Sequence, residues 1–258
     1  MSDGQEGLIS TWLEGRVALV TGGSRGIGRA TCLALAARGA SVAIHYNASA
    51  DAANALAQSI ISSGGRAVAV QADLGSAGAA DALVAAVAFR LGEVDILVNN
   101  AGEMSHAPVA EMTDDVWERA LAVNLTSVFR CTRAVLPPMQ ARGWGRIINV
   151  SSQAAYTGSV NHAHYAAAKS GLQGFTYSLA KEVGAAGITA NLVSPGRIVT
   201  DMIRDALPKR EEEWLKQTPL KRLGEPEEVA SVIGFLASEG ARYVTGANIH
   251  VNGGLVMG

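Results

Sequence analysis

The sequence predicts an α/β protein, a single doubly wound domain whose parallel sheet carries helices on both faces. Three observations lead there. Short β-branched runs alternate with Ala- and Leu-rich segments of helical period along all 258 residues, the order that builds parallel strands joined by crossover helices. No Ser/Pro-rich linker divides the chain, and α/β folds reach this length undivided. Apolar residues make up 48% of it, charged residues 17%, and there are 29 glycines, the composition of a globular protein with many tight turns.

Taken in order, residues 17–20 (VALV) form the first strand, and a glycine-rich turn leads from it into a helix at 29–38. Strand 42–44 precedes a helix at 52–62, strand 68–70 a helix at 80–91, and strand 96–98 a long helical run at 116–142. Strands 147–150, 190–193 and 248–251 complete the set, with a second long helix at 163–185 between the first two. Each strand is short and mostly apolar, as a strand buried on both faces must be. Residues 13–258 therefore make one domain, preceded by a loose arm at 1–12. The least regular piece, 195–226, carries Pro195, Pro208, Pro219, Pro226 and the charged patch KREEEW; it reads as a partly helical excursion over the sheet that covers a ligand.

Bulk charge excludes some functions. A net charge of −2 with no Lys/Arg cluster argues against nucleic acid, whose phosphates need a basic face. Cys32 and Cys131 are far apart, so they read as small buried apolar residues of a reducing, cytoplasmic protein. The N-terminus has no charged start and apolar run of a secretory signal. No stretch is long and apolar enough to span a membrane. His106, His162 and His164 lack the further Cys, His or Asp partners of a metal site, so no metal is expected; His162 is placed at the mouth of a substrate pocket.

Four constellations carry chemistry. In VALVTGGSRGIGRA, Gly22, Gly26 and Gly28 lie between a strand and a helix, which turns backbone N–H groups and a helix N-terminus toward a phosphate. The spacing is neither G-x-G-x-x-G nor a P-loop. In DILVNNAG, Asn99 and Asn100 stand at the carboxyl edge of a strand, where such sheets bind ligands; either amide ties loops together or faces the ligand, and Ala101-Gly102 leave it room. The third is YAAAK: Tyr165 and Lys169, at i and i+4, share a helix face, and Ser152 at the end of RIINVSS reaches the same edge. A phenol of pKa about 10 acts as a base near neutrality only if a neighbouring cation lowers it; Lys169 is that cation. The fourth is Asn124, an amide inside the apolar helical run LAVNLTSVF, which either bonds structurally or bends the helix to hold a water. Tyr156 either lines the substrate pocket beside Ser152 or packs in a loop.

Together, Thr21-Gly22-x-x-x-Gly26-x-Gly28, Asn99-Asn100-Ala101-Gly102, Asn124, Ser152, Tyr165-x-x-x-Lys169 and Pro195-Gly196-x-x-x-Thr200 resemble the short-chain dehydrogenase/reductase family from about residue 13 to 258. The resemblance implies a Rossmann-type domain with a seven-stranded parallel sheet, a nicotinamide cofactor and a homotetramer built on the two long helices. It makes Tyr165 the acid/base, Ser152 the hydrogen-bond donor to the substrate oxygen, Lys169 the group that lowers the phenol pKa and holds the nicotinamide ribose, and Asn124 the holder of a relay water. It assigns cofactor contacts to Gly22, Ser24, Arg25, Gly26, Ile27 and Gly28; to Tyr46 and Asn47; to Asp73 and Leu74; to Asn100, Ala101 and Gly102; and to Pro195, Gly196, Ile198 and Thr200.

Members that take NAD end the second strand with a carboxylate that repels a 2′-phosphate. Here the strand ends VAIHYNAS, with Tyr46 at that place and Arg25 available as a cation, so NADP(H) is expected over NAD(H), with carbonyl reduction as the working direction. The C-terminal run from Arg222 to Gly254 and the Thr-Asp-Met at 200–202 look like the 3-oxoacyl-acyl-carrier-protein reductase branch. An acyl thioester, with acyl carrier protein as a partner, is then the expected substrate. Sugar, polyol, diketone and steroid dehydrogenases share the same ending. Ala186 stands where the fatty-acid enzymes carry a carrier-docking arginine, leaving Arg142 and Arg146 to supply a basic rim. A nucleotide-sensing scaffold without chemistry is the competing class, which has no need of Ser152, Tyr165 and Lys169 as a set.

Overall fold

The computed structural model describes residues 12–204 and 207–257. The arm expected at 1–12 thus lies outside the described residues except for its last position. The strands are β1 (Val17–Val20), β2 (Ser41–Tyr46), β3 (Ala67–Gln71), β4 (Ile96–Asn99), β5 (Gly145–Val150), β6 (Ile188–Pro195) and β7 (Asn248–Val251). They form one seven-stranded sheet in the order β3-β2-β1-β4-β5-β6-β7, every pair parallel. All seven expected strands are present, most of them longer at one or both ends.

The helices are α1 (Gly26–Ala36), α2 (Ala50–Ser62), α3 (Ala79–Leu91), α4 (Asp114–Leu121), α5 (Ser127–Arg142), α6 (Ala154–Thr157), α7 (Ala163–Val183), α8 (Asp201–Arg204), α9 (Leu207–Gln217) and α10 (Pro226–Leu236). Strand alternation divides the core in two. Ala18, Val20, Ile96, Val98, Ile148 and Val150 meet α1, α2 and α10 through Leu35, Leu56 and Ile233. Val17, Leu19, Leu97 and Ile147 point the other way, onto α3, α5 and α7 through Leu83, Val135 and Val183. Successive residues of one strand fill opposite cores, which is why the strands read as continuous apolar runs.

The helical run expected at 116–142 is not one regular helix. α4 and α5 are joined by a π turn, Ala122–Thr126, with Asn124 at its centre; such turns insert an extra residue and cluster at functional sites. The helix α10 was not foreseen, although its signal is in the sequence: Glu225 and Glu228 cap each other reciprocally and Pro226 opens the first turn, the arrangement of a capping box. The segment 195–226 carries two helices, α8 and α9.

Candidate active site

The switch in strand order lies between β1 and β4, and the chain segments leaving their carboxyl ends converge there. Thr21 laces them. Its Oγ accepts from the N–H groups of Asn100 and Ala101, both at 3.0 Å, and the Asn100 amide donates to Thr21 O and Gly22 O at 3.0 and 3.1 Å. Asn100 therefore ties the two loops together. Asn99 does the same deeper in the sheet, donating to Asn149 Oδ1 at 2.8 Å.

His45, which sequence reasoning passed over, anchors the glycine-rich turn from the other side. Its Nδ1 accepts from Gly22 N–H at 2.9 Å, so its other nitrogen carries the proton and donates to Ala72 O at 3.0 Å. Burial lowers its pKa, which keeps the ring neutral and this tautomer intact. A β2 residue thus holds both the turn and the start of the loop that contains Asp73 and Leu74.

Whether these residues fit a dinucleotide can be tested on the donors present. α1 begins without a side-chain cap and without an acidic residue in its first turn, leaving its N–H groups and dipole for an anion. Gly26, in left-handed backbone conformation, would carry a Cβ only 3.1 Å from Thr200 Cγ2, so the segment after β6 closes directly over the turn. Between them lies a cleft of about 210 Å³ lined by Gly26, Arg29, Thr200, Asp201 and Arg204. Arg25 is two-thirds exposed and 3.8 Å from Asp201, Ser24 is buried beneath it, and Tyr46 and Asn47 stand at the solvent end of β2. Pro195 and Gly196 leave β6, Gly196 N–H bonding Val251 O at 2.9 Å, and Ile198 is buried behind Thr200. The uncapped N–H groups at the start of α1, with Arg25 beside them, suit the phosphates of a dinucleotide. Asp73 is the residue already committed elsewhere: both its oxygens accept from Arg119, at 3.0 and 3.1 Å.

Ser151, Ser152, Tyr165 and Lys169 come together at the end of β5. Lys169 Nζ donates to Val150 O at 2.9 Å, and Ser151 Oγ donates to Lys169 O at 3.0 Å, fastening α7 to the strand. Ser152 Oγ accepts from Ala154 N–H at 3.1 Å and lies close enough to the Tyr165 phenol to lower its pKa. The Lys169 ammonium lies 5.7 Å from the Tyr165 ring centroid. Asn124 is fully buried, its amide donating to Ala120 O at 2.9 Å and to Glu103 O at 3.0 Å. A Cβ on Gly102 would sit 2.8 Å from Asn124 Oδ1 and 3.5 Å from Lys169 Nζ, so the bare glycine lets Asn124, Lys169 and the NNAG loop share one space.

The charges do not behave as the sequence suggested. Burial raises the Tyr165 phenol above its ordinary value, and the neighbouring Ser152 only partly offsets it. Lys169 is itself buried, which lowers it to about 8. Tyr165 thus keeps its proton at neutral pH. An NMR titration of the lysine side chains should show one amine titrating near 8 that disappears in Lys169→Met; a full set near the ordinary 10.4 or so would overturn this description of the pocket.

The remaining candidates are spread around the mouth. His162 caps α7; its Nδ1 is 3.0 Å from Ser159 Oγ and its ring packs edge-on against His106. Tyr156 turns toward β7, bonding Asn248 and packing on His250. The basic rim does not form as expected. Arg146 is buried, stacked 4.3 Å over Trp144 and paired with Glu239, while Arg142 bonds Val94 O at 2.9 Å. Both sit at the amino edge of the sheet, the end opposite Ser152, because β5 runs its full length between them.

A family model described as enoyl-(acyl carrier protein) reductase matches residues 22–256. A 3-oxoacyl-[acyl-carrier-protein] reductase of Synechocystis sp. is 45% identical over 248 residues, 96% of this chain and 99% of that one. The chain belongs to the short-chain dehydrogenase/reductase family. Another short-chain reductase, 3-oxoacyl-[acyl-carrier-protein] reductase FabG of Pseudomonas aeruginosa, is 45% identical over 95% of this chain and 99% of its own. Among solved structures, a blue fluorescent protein from a metagenomic library in complex with NADPH superposes with a TM-score of 0.89 at 41% identity, covering 96% of this chain and all of that one. As an oxidoreductase of this family, the protein uses the fold described above, a Rossmann-type parallel sheet. Among the described residues, no helix is long and apolar enough to cross a membrane.

Proposed function

We propose that the protein is an NADPH-dependent reductase of 3-oxoacyl thioesters, with Tyr165 as proton donor. The observation that carries the reaction is Ser152 standing beside a buried, protonated Tyr165: two neighbouring hydroxyls suit a carbonyl oxygen that gains negative charge, which the reduction of a carbon–carbon double bond does not present in the same place. Gly22, Ser24, Arg25, Gly26, Ile27 and Gly28 would hold the phosphates, Tyr46 and Asn47 the adenosine ribose, Asp73 and Leu74 the adenine, Asn100, Ala101 and Gly102 the floor beneath the cofactor, and Pro195, Gly196, Ile198 and Thr200 the carboxamide. NADPH, when bound, supplies the hydride. Tyr165 gives its proton to the substrate oxygen, Ser152 donates a hydrogen bond to the same oxygen, and Lys169, at about 8, is poised to exchange a proton near neutrality. Asn124 holds the floor of this pocket through Glu103 and would orient a relay water.

The thioester is supported by the near full-length similarity to two 3-oxoacyl-[acyl-carrier-protein] reductases, and acyl carrier protein is the corresponding partner. Membership of the family supports a cytoplasmic homotetramer, for which the partly exposed Phe129 on α5 and Tyr177 on α7 would offer pairing faces. A second reading, a small hydroxylated carbonyl, is favoured by Ala186 at the carrier-docking position and by the polar mouth of His106, Asn161 and His162. It is also favoured by a TM-score of 0.90 and 36% identity to a protein provisionally assigned as a gluconate dehydrogenase of Agrobacterium tumefaciens, over 95% of this chain and 98% of that one.

The deciding experiment follows oxidation of NADPH or NADH with acetoacetyl thioesters, diketones and keto sugars. Thioester turnover with NADPH supports the first reading; turnover confined to a diketone or sugar replaces it with the second. Cofactor choice has its own test. Tyr46→Asp places a carboxylate where a 2′-phosphate would lie, and should shift the NADPH-to-NADH ratio of kcat/KM toward NADH by at least about tenfold, the worth of roughly 1.4 kcal/mol. An unchanged ratio would remove the end of β2 from the recognition of the phosphate.

A further inference from the structure

Three segments of the chain meet at Arg119 on α4. Its Nη1 and Nη2 donate to Asp73 Oδ2 and Oδ1 at 3.1 and 3.0 Å, and its Nε and Nη2 donate to Glu103 Oε1 and Oε2 at 2.9 and 3.3 Å. One planar guanidinium thus grips two carboxylates, one in the loop after β3 and one in the loop after β4, a geometry that an ammonium cannot reproduce. The Asp73 carboxylate also accepts from Gly75 N–H at 3.1 Å and Ser76 Oγ at 3.2 Å, so the fork sets the shape of the whole turn. Gly75 makes space for it: a Cβ there would fall 2.1 Å from Arg119 Nη1.

Glu103 is held a second time, through its backbone. Asn124 Oδ1 accepts from Glu103 N–H at 3.3 Å and Asn124 Nδ2 donates to Glu103 O at 3.0 Å. Asn124 and Arg119 lie on one continuous helical run, on either side of the start of the π turn, and Asn124 shares the space above Gly102 with Lys169. An unbroken chain of polar contacts therefore runs from Asp73 through Arg119 and Glu103 to Asn124. The ion pairs are about 40% exposed, so each adds little to stability; their consequence is positional.

We propose that Arg119 is a positioning residue that couples the loop after β3 to Asn124 and the reacting end of the site, so that occupation of the adenine subsite orders the proton-handling groups. This rests on the cofactor reading above, in which Asp73 meets the adenine. Any contact that draws on the Asp73 carboxylate shifts the guanidinium it shares with Glu103, and the Glu103 backbone carries that shift to Asn124.

The test uses the full chain and adenosine 2′,5′-bisphosphate, which has the adenine half of NADPH and no nicotinamide. Calorimetry measures its binding, and hydrogen exchange follows the Glu103 amide. In the wild type, saturating fragment should slow exchange at Glu103 by at least about fivefold, the lower end of ordinary coupling between sites. In Arg119→Met, and in Gly75→Ala, which only displaces the flexible end of the arginine, the fragment should bind and the slowing should vanish. In turnover, both variants should lose kcat with NADPH and keep the wild-type kcat with reduced nicotinamide mononucleotide, which has no adenine end. Equal slowing at Glu103 in wild type and variants, or none in the wild type, overturns the coupling. Failure of the fragment to bind the wild type overturns the cofactor reading itself, and the proposal with it.

Discussion

Tyr165→Phe is expected to lower kcat for carbonyl reduction by about 100- to 10,000-fold, the range for loss of a positioned general acid, with NADPH affinity changed less than about twofold. The ring is buried, only 7% exposed, and phenylalanine keeps its packing. What disappears is one hydroxyl beside Ser152, and Ser152 retains its bond from Ala154 N–H, so the variant should fold normally. Equilibrium binding and single-turnover rates measured on the same preparation separate the two effects, and a kcat within tenfold or so of wild type would falsify the assignment of Tyr165 as proton donor. The direction of the pKa shift adds a sign. Because burial raises the phenol, the form that donates a proton persists to alkaline pH, so wild-type reduction should not fall as pH passes through neutrality. Oxidation of the alcohol, which needs the phenolate, should rise with pH across the same interval.

Gly28→Ala is expected to be the most damaging single methyl in the cofactor loop. A Cβ there would lie 2.1 Å from Gly22 O and 2.7 Å from the Asn100 amide nitrogen, and the first of these is backbone that cannot rotate away. Either the turn opens or α1 moves, and both break the Asn100 bond to Gly22 O that joins the β1 and β4 loops. Forced overpacking of this kind costs about 3 kcal/mol, which in a chain of this size lowers Tm by roughly 6–12 °C, and NADPH binding should be lost. Gly184→Ala is the matched control: its backbone is right-handed and a Cβ there meets nothing within 4 Å. Its melting temperature should stay within about 2 °C of wild type, since exposed positions usually change stability by no more than about 0.5 kcal/mol. Similar melting temperatures for the two variants would remove the close approach of turn and helix from the account of this loop.

Much of the site was legible because its parts are local. The glycine-rich turn between β1 and α1, the amides at the end of β4 and the four-residue spacing of Tyr165 and Lys169 are patterns that neighbouring residues impose on one another. The π turn at Asn124 was legible only as a mid-helix polar residue, since its register depends on what Glu103 offers across the cleft. Arg119 and His45 were not legible as parts of the site. Each is an ordinary residue for its element, and each acquires a role only from partners far along the chain: Asp73 and Glu103 for one, Gly22 and Ala72 for the other. Arg146 shows the converse, a charge expected on a surface that is instead buried and stacked on Trp144.

By itself the sequence determined the order of strands and helices, the parallel sheet and the family, because hydrophobic period and turn chemistry act over a few residues. Only the tertiary structure decided the ionisation of Tyr165 and Lys169 and the path from Asp73 to Asn124. The cost of a charge on Lys169 or Tyr165 depends on how much water is removed from around it, and the groups that remove it come from β5, α7 and the loop after β4 together.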